Sequence, residues 1–236
     1  MTDIIKNTPL RIVYLLTLSV IIFSCQSRQK AGEGINEGQV IYKITYPPEI
    51  ESHSMAFLFP RQMSLLFKQD KQKTTLKGNM NIYSLDFIHF NQSDSFFTLL
   101  KVLDKKMYVP STSSGDIFLF KNYSNEQVTF PQVETRKIAG FTCEKAEINP
   151  TDQKLANLVI WFTREINLQK PNRNTPFEQI PGVMLEFDVK YQNVTFQFKA
   201  DKISSSLIDD HEFSIPEGYN KTSIQEIESL IQGVIY

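Results

Sequence analysis

The hydrophobic pattern changes character three times along the chain. Ile12 to Phe23 (IVYLLTLSVIIF) form a twelve-residue apolar run, and Gln26 to Glu37 (QSRQKAGEGINE) are polar, with two glycines and no aromatic residue. From Gly38 a period of two takes over. Val40, Tyr42, Ile44 and Tyr46 alternate with Gln39, Ile41, Lys43 and Thr45, which predicts a half-buried strand that Pro47-Pro48 stops.

Similar segments follow at short intervals. Met63 to Lys68 and Gln72 to Lys77 flank Gln69-Asp70-Lys71 as a hairpin, and Tyr83 to Phe90 and Ser95 to Leu103 flank Asn91 to Asp94 as a second. Lys106 to Val109 and Ile117 to Phe120 are shorter runs. Leu158 to Thr163 is apolar on both faces and carries the only tryptophan, Trp161, which predicts a central place in the sheet. In the last hairpin Leu185, Phe187, Val189 and Tyr191 face one way, and Val194, Phe196, Phe198 and Ala200 answer them across Gln192-Asn193. The count is about 11–13 strands, at the spacing of an all-β sandwich or barrel. Helices are few. Ser223 and Glu226 form a capping box for a helix over Thr222 to Gln232, whose stripe of Ile224, Ile227, Ile231 and Val234 either packs on the sheet or closes a cavity as a lid. Ser52 to Phe59 fits a short helix or an irregular strand.

The N-terminal run is too short to span a membrane as a helix. Lys6 and Arg11 before it and Ser24 after it give the layout of a secretory signal peptide over residues 1–24. Ile22-Phe23-Ser24-Cys25 resembles a lipobox, in which a peptidase cuts before a cysteine that then carries lipid; an ordinary signal peptide with a stray cysteine and an uncleaved anchor are the alternatives. Acyl chains such as palmitate on Cys25, at about 0.8 kcal/mol per buried methylene, would hold the protein on a membrane. Residues 25–37 then read as a flexible tether. Gln26-Ser27-Arg28 has no acidic residue after the lipid cysteine, which points to an outer-membrane, periplasm-facing location.

Removing residues 1–24 takes away Asp3, Lys6 and Arg11, leaving 23 basic and 25 acidic residues and a formal charge of −2. Nothing in that balance suggests nucleic acid. With Cys25 acylated, Cys143 has no partner and reads as a buried thiol; its use as a nucleophile would need His53, His89 or His211 nearby in space. The chain contains no G-x-S-x-G elbow, H-E-x-x-H helix or phosphate-binding glycine loop. Asp209-Asp210-His211-Glu212 is the one local acidic–histidine cluster, and a solvated turn accounts for it better than a metal site. No catalytic residue, cofactor or metal is expected.

Three stretches carry a family resemblance: Glu37-Gly38-Gln39-Val40-Ile41-Tyr42-Lys43-Ile44-Thr45-Tyr46, then Lys137-Ile138-Ala139-Gly140-Phe141-Thr142-Cys143-Glu144-Lys145-Ala146, then Val159-Ile160-Trp161-Phe162-Thr163 with Gln179-Ile180-Pro181-Gly182-Val183-Met184-Leu185-Glu186. Their order resembles the GLPGLI family and a related family of exported Gram-negative proteins, both similar to the LolA/LolB lipoprotein carriers. The naming motif keeps only Pro181 and Gly182. The resemblance implies an antiparallel half-barrel over residues 38–219, followed by a C-terminal helix in 220–236, with an apolar concave face. The implied function is a lipid-anchored envelope protein that binds a lipid or lipoprotein acyl chain without catalysis. A sixteen-carbon chain would gain about 10 kcal/mol at 0.8 kcal/mol per methylene. The candidate ligand face comprises Phe87, Phe97, Phe118, Phe120, Trp161, Phe187, Phe196 and Phe198. The alternative is an outer-membrane assembly module that pairs an edge strand with an envelope protein partner.

Overall fold

Period-two alternation becomes one large open sheet. The structure, a computed structural model, describes residues 34–93, 95–111, 123, 127–131, 134–150 and 157–235. Cys25, the Ile117–Phe120 run, Phe118 and Phe120 lie outside them. The strands are β1 (Glu37–Thr45), β2 (Gln62–Lys68), β3 (Lys71–Lys77), β4 (Tyr83–Phe90), β5 (Ser95–Val102), β6 (Lys105–Ser111), β7 (Val128–Thr129), β8 (Thr135–Ile138), β9 (Phe141–Ile148), β10 (Leu158–Thr163), β11 (Val183–Tyr191), β12 (Val194–Ser205) and β13 (Asn220–Lys221). Their order is β13-β6-β5-β4-β3-β2-β1-β12-β11-β10-β9-β7, with β8 also on β9. Among the described strand pairs the β13–β6 pairing is parallel and the others are antiparallel, and the isolated Ile35–Ile166 bridge is parallel too. The ladder does not close on itself, so the molecule is mainly β and is an open sheet rather than a barrel.

Meander hairpins build each half. In β2–β3, Lys68 pairs with Lys71 across a two-residue turn whose Gln69 takes a left-handed φ of 57°. In β8–β9, Ile138 pairs with Phe141, and Ala139 and Gly140 both have positive φ (48° and 91°), as a tight hairpin of this twist requires. The two halves meet where β1 pairs with β12, whose register slips at Ile41/Tyr42; a second slip falls at Trp161/Phe162 between β10 and β11. Such irregularities bend a sheet. The sheet does curl: β4 and β11 are five strands apart, about 24 Å if flat, yet their side chains line one cavity.

One core fills the inner face. Tyr42, Leu65, Leu76, Leu85, Leu100 and Met107 from one half join Phe198, Phe187, Leu185, Ile160 and Ile148 from the other. The C-terminal helix α2 (Ile224–Ile235) enters this core through Ile227 and Ile231. Its N-terminus keeps half of the capping box: the Glu226 amide donates to Ser223 Oγ at 3.3 Å, while the Glu226 carboxylate takes the Thr222 hydroxyl instead. The ambiguous Ser52–Phe59 region resolves into a one-turn helix α1 (Pro48–Glu51), with Pro48 at its first position, and a 3-10 turn at Ala56–Leu58.

The outer face of β2–β6 is partly covered as well. Residues 206–219 cross it as a strap and bury Phe213 against Ile88 and Leu99, with Phe90, Phe97 and Tyr108 around them. Lys68 and Lys71 pair with Asp210 (3.2 and 3.1 Å), and Lys73 pairs with Glu212 (3.2 Å). Asp209 caps the strap's 3-10 turn, accepting from the His211 amide at 2.9 Å. The acidic–histidine cluster is thus a clasp on the strap. Residues 35–37, read as tether, are docked: Ile35 is buried and bridges Ile166.

β10 lies third from the β7 end of the sheet, so Trp161 is not central. The tryptophan is buried because the Arg136 guanidinium covers its ring at 4.1 Å. Arg136 in turn pairs with Glu186 at 2.6 Å, and Glu186 with Lys199 at 3.0 Å.

Two glycines differ in what a methyl group would meet. At Gly182 a Cβ would lie 2.3 Å from the Thr163 carbonyl oxygen, whereas at Gly140 it would meet nothing within 4 Å. Gly182→Ala is therefore expected to lower unfolding free energy by roughly 2–3 kcal/mol through backbone displacement. Gly140→Ala should cost only about 1 kcal/mol, for its positive φ. Urea midpoints of the two variants check the order, and equal losses would contradict it.

A candidate ligand cavity on the inner face

A cavity of about 150 Å³ remains inside the curl, walled by β1–β4, β11 and β12. Its register rows come from residues that share one face across paired strands: Tyr42 with Met63, Met63 with Leu76, Thr74 with Phe87. The opposite wall is aromatic. Phe187 and Phe198 stack at 4.8 Å with 14° between planes, Phe196 continues the stack at 6.3 Å, and Tyr42 meets Phe187 edge-on at 6.1 Å. The Tyr42 hydroxyl is satisfied by the Met184 carbonyl at 2.9 Å.

The loop 164–182 roofs one end through Pro171, Asn172 and Thr175. It holds itself together: Asn172 Nδ2 donates to the carbonyls of Ile180 (2.8 Å) and Gly182 (2.9 Å), and the Thr175 hydroxyl donates to the Asn172 carbonyl (2.6 Å). A polar clasp then ties the loop to β3 and the β4–β5 turn. Gln72 Nε2 donates to the Pro171 carbonyl at 3.0 Å, Asn91 Nδ2 to the Gln169 carbonyl at 2.5 Å, and Arg173 Nη1 to the Asn91 carbonyl at 3.4 Å. Each bond of this kind is worth about 1 kcal/mol net, so the clasp can open at modest cost.

His89 sits beside the clasp. It is buried, lines the cavity, and meets Phe96 edge-on at 5.0 Å. Its Nδ1 lies 3.2 Å from Gln72 Nε2, whereas its Nε2 is shielded from solvent without a hydrogen-bond partner. Burial pushes its pKa down to about 4, so the ring is neutral near pH 7.

Of the candidate ligand-face residues, Phe87, Phe187, Phe196 and Phe198 line the cavity. Phe97 does not. It pairs with Ile88 on the outer face, where the strap rather than a ligand accounts for the greasiness. Trp161 does not either, because it pairs with Glu186 under Arg136. The loop 164–182 and the pair Gln72–His89 were missed by the aromatic reading. The signal was available: both polar residues occupy the apolar phase of their strands, Gln72 in step with Thr74 and Leu76, His89 in step with Leu85 and Phe87.

Cys143 is fully buried; its Sγ donates to the Phe141 carbonyl at 3.6 Å, and burial pushes the thiol up to about 11. The three histidines lie apart: His53 after α1, His89 at the cavity and His211 on the strap. Among the described residues no group of three or more His, Cys, Asp or Glu side chains is placed to hold a metal ion.

No protein-family model and no curated protein matches the chain, so its likeness to GLPGLI proteins rests on three short stretches. Solved structures do match. LprF from Mycobacterium bovis is similar over 74% of this chain and 88% of its own, at 10% identity and a TM-score of 0.29. A putative outer membrane lipoprotein-sorting protein domain from Vibrio parahaemolyticus is similar over 77% of this chain and 91% of its own, at 10% identity and a TM-score of 0.23. At such scores neither likeness bears on what the cavity holds.

A histidine whose folded pKa is depressed favours the neutral state, so the unfolded chain binds more protons between about pH 6.5 and 4. Stability should therefore fall as pH drops through that window, by about 3 kcal/mol for His89 at full effect. Urea unfolding of the native protein and His89→Phe at pH 7 and pH 4 isolates this part. The variant should lose less on acidification, and parallel losses would contradict the assignment.

Proposed function

We propose that this chain is a lipid-anchored envelope protein that takes a hydrophobic ligand, a lipid or acyl chain, into the inner-face cavity without covalent chemistry. The observation that carries the reading is an apolar, aromatic-walled cavity within the core, roofed by a loop whose cavity-facing stretch is held through a few polar bonds. Protein cores close over voids unless something opposes closure, because each void forfeits packing.

Magnitudes set the manner of binding. An apolar cavity of about 150 Å³ holds a benzene-sized guest, and pockets for larger ligands start near 300 Å³. Six carbons at about 0.8 kcal/mol each give roughly 5 kcal/mol, barely above the minimum association cost of about 4 kcal/mol. A whole acyl chain must therefore displace the Pro171 to Thr175 stretch of the loop 164–182, which supplies the movable cover. The C-terminal helix contributes to the core but not to the cavity lining. Acylation of Cys25 would place the cavity beside a membrane.

Edge-strand pairing with an envelope partner finds less support. The β6 edge carries Lys105, Lys106 and Pro110 and is already paired by β13 at Met107 and Tyr108, all features that blunt an edge. At the other end of the sheet lies β7, two residues long.

Native mass spectrometry of the exported protein, followed by organic extraction, tests the proposal. An acyl-chain mass should co-purify with the native protein and be lost from Phe198→Glu, while Cys25→Ser should move the protein from the membrane to the soluble fraction. A clean apo mass that fails to take up added fatty ester or lipopeptide would sink the ligand reading.

A further inference from the structure

The polar corner of the cavity specifies what the head of the ligand must be, provided that the cavity is a ligand site as proposed above. Two backbone carbonyls fix the orientation of the amides there. A carbonyl only accepts, so Asn91 must turn Nδ2 toward Gln169 O (2.5 Å) and Gln72 must turn Nε2 toward Pro171 O (3.0 Å). Gln72 Nε2 has two hydrogens and three acceptors in reach; the shorter contacts, Pro171 O and His89 Nδ1 at 3.2 Å, take them, and Asn91 Oδ1 at 3.4 Å is the weakest of the three. A proton on Nδ1 would point at that N–H donor. The neutral ring must therefore accept at Nδ1 and carry its proton on Nε2. That Nε2–H is the atom without a partner, on a side chain 7% exposed that lines the cavity. Burying a donor unpaired is costly, so an occupant that supplies an acceptor gains what the empty site lacks.

We infer that His89 Nε2–H donates a hydrogen bond to the acyl carbonyl oxygen of the ligand, so that the cavity selects neutral ester- or amide-linked acyl groups over bare hydrocarbon. The ring is a neutral donor: Gln72 and Phe96 touch it, burial accounts for its low basicity, and the cation of the clasp, Arg173, donates to the Asn91 carbonyl and does not line the cavity. Ester-linked chains of glycerolipids and amide-linked chains of N-acylated proteins share this carbonyl, and the geometry accepts either.

The cavity suits short probes of about six carbons, which allows a direct comparison. Titration calorimetry of the full chain carrying Cys25→Ser, exported to the periplasm, with methyl hexanoate, N-methylhexanamide and octane gives three affinities. At least one carbonyl probe should bind about tenfold tighter than octane, and the tighter of the two tells ester from amide linkage. In His89→Phe that preference should vanish while octane binding persists. A preference that survives in His89→Phe, or no preference in the native protein, would overturn the inference and leave the cavity reading intact. Failure of all three short probes to bind would overturn the inference, and failure of methyl palmitate as well would remove the cavity reading beneath it. A second readout needs no variant. Nitrogen-15 spectra of the His89 imidazole should show the Nε2–H tautomer, with its N–H proton moving downfield on adding the preferred carbonyl probe but not octane. The Nδ1–H tautomer would invert the donor and overturn the inference.

Discussion

An open sheet with an apolar face must be covered, and every other feature of this fold answers that requirement. The ladder from β13 to β7 never closes, so the inner row of Tyr42, Leu65, Leu76, Phe87, Phe187 and Phe198 would face water if the sheet were flat. Curling at the β1–β12 and β10–β11 register slips turns that row on itself, and α2 and the loop 164–182 close over what the curl leaves. At about 25 cal/mol per Å² of apolar area, this burial outweighs any single polar contact in the molecule. The outer face of β2–β6 meets the same requirement with the strap 206–219, whose lysine–carboxylate pairs are exposed and so position more than they stabilise.

The two covers are built differently, and that difference is where function enters. The strap buries Phe213 against Ile88 and Leu99. The loop 164–182 buries Phe177 and Ile180 but presents Pro171, Asn172 and Thr175 to a void, and its fastening to β3 and the β4–β5 turn runs through amide–carbonyl bonds. Hydrophobic seating is lost in proportion to area, whereas a few neutral hydrogen bonds can be exchanged with water at small net cost. Ile166, Leu168, Phe177 and Ile180 anchor the loop in the core, and the stretch that faces the void, Pro171 to Thr175, is the part held by those exchangeable bonds.

Most of the strand framework was legible because alternation is local. The hairpins β2–β3 and β4–β5 fall within a residue of their expected bounds, β12 runs five residues past the expected Ala200, and Leu158–Thr163 was placed in full. What alternation cannot report is which element covers a greasy face. Phe97 looked like ligand wall because the strap that covers its side of the sheet lies over a hundred residues downstream. Trp161 looked central because Arg136, from another strand, hides it. The loop 164–182 has no periodicity to read, since its buried Ile166, Leu168, Phe177 and Ile180 are spaced by turns. Gln72 and His89 were legible in principle, as polar residues at core-phase positions, although their pairing needs the β3–β4 register to be known.

The account depends on where a hydrophobic chain ends when it binds. A crystal structure of the protein with a bromine-terminated acyl ester would locate the chain terminus directly through the anomalous signal of the halogen. The account predicts one bromine site on the inner face, among Tyr42, Phe87, Phe187 and Phe198, with Pro171 to Thr175 displaced. A bromine site against Ile88, Phe97 and Phe213 beneath the strap, or along a sheet edge, would contradict it.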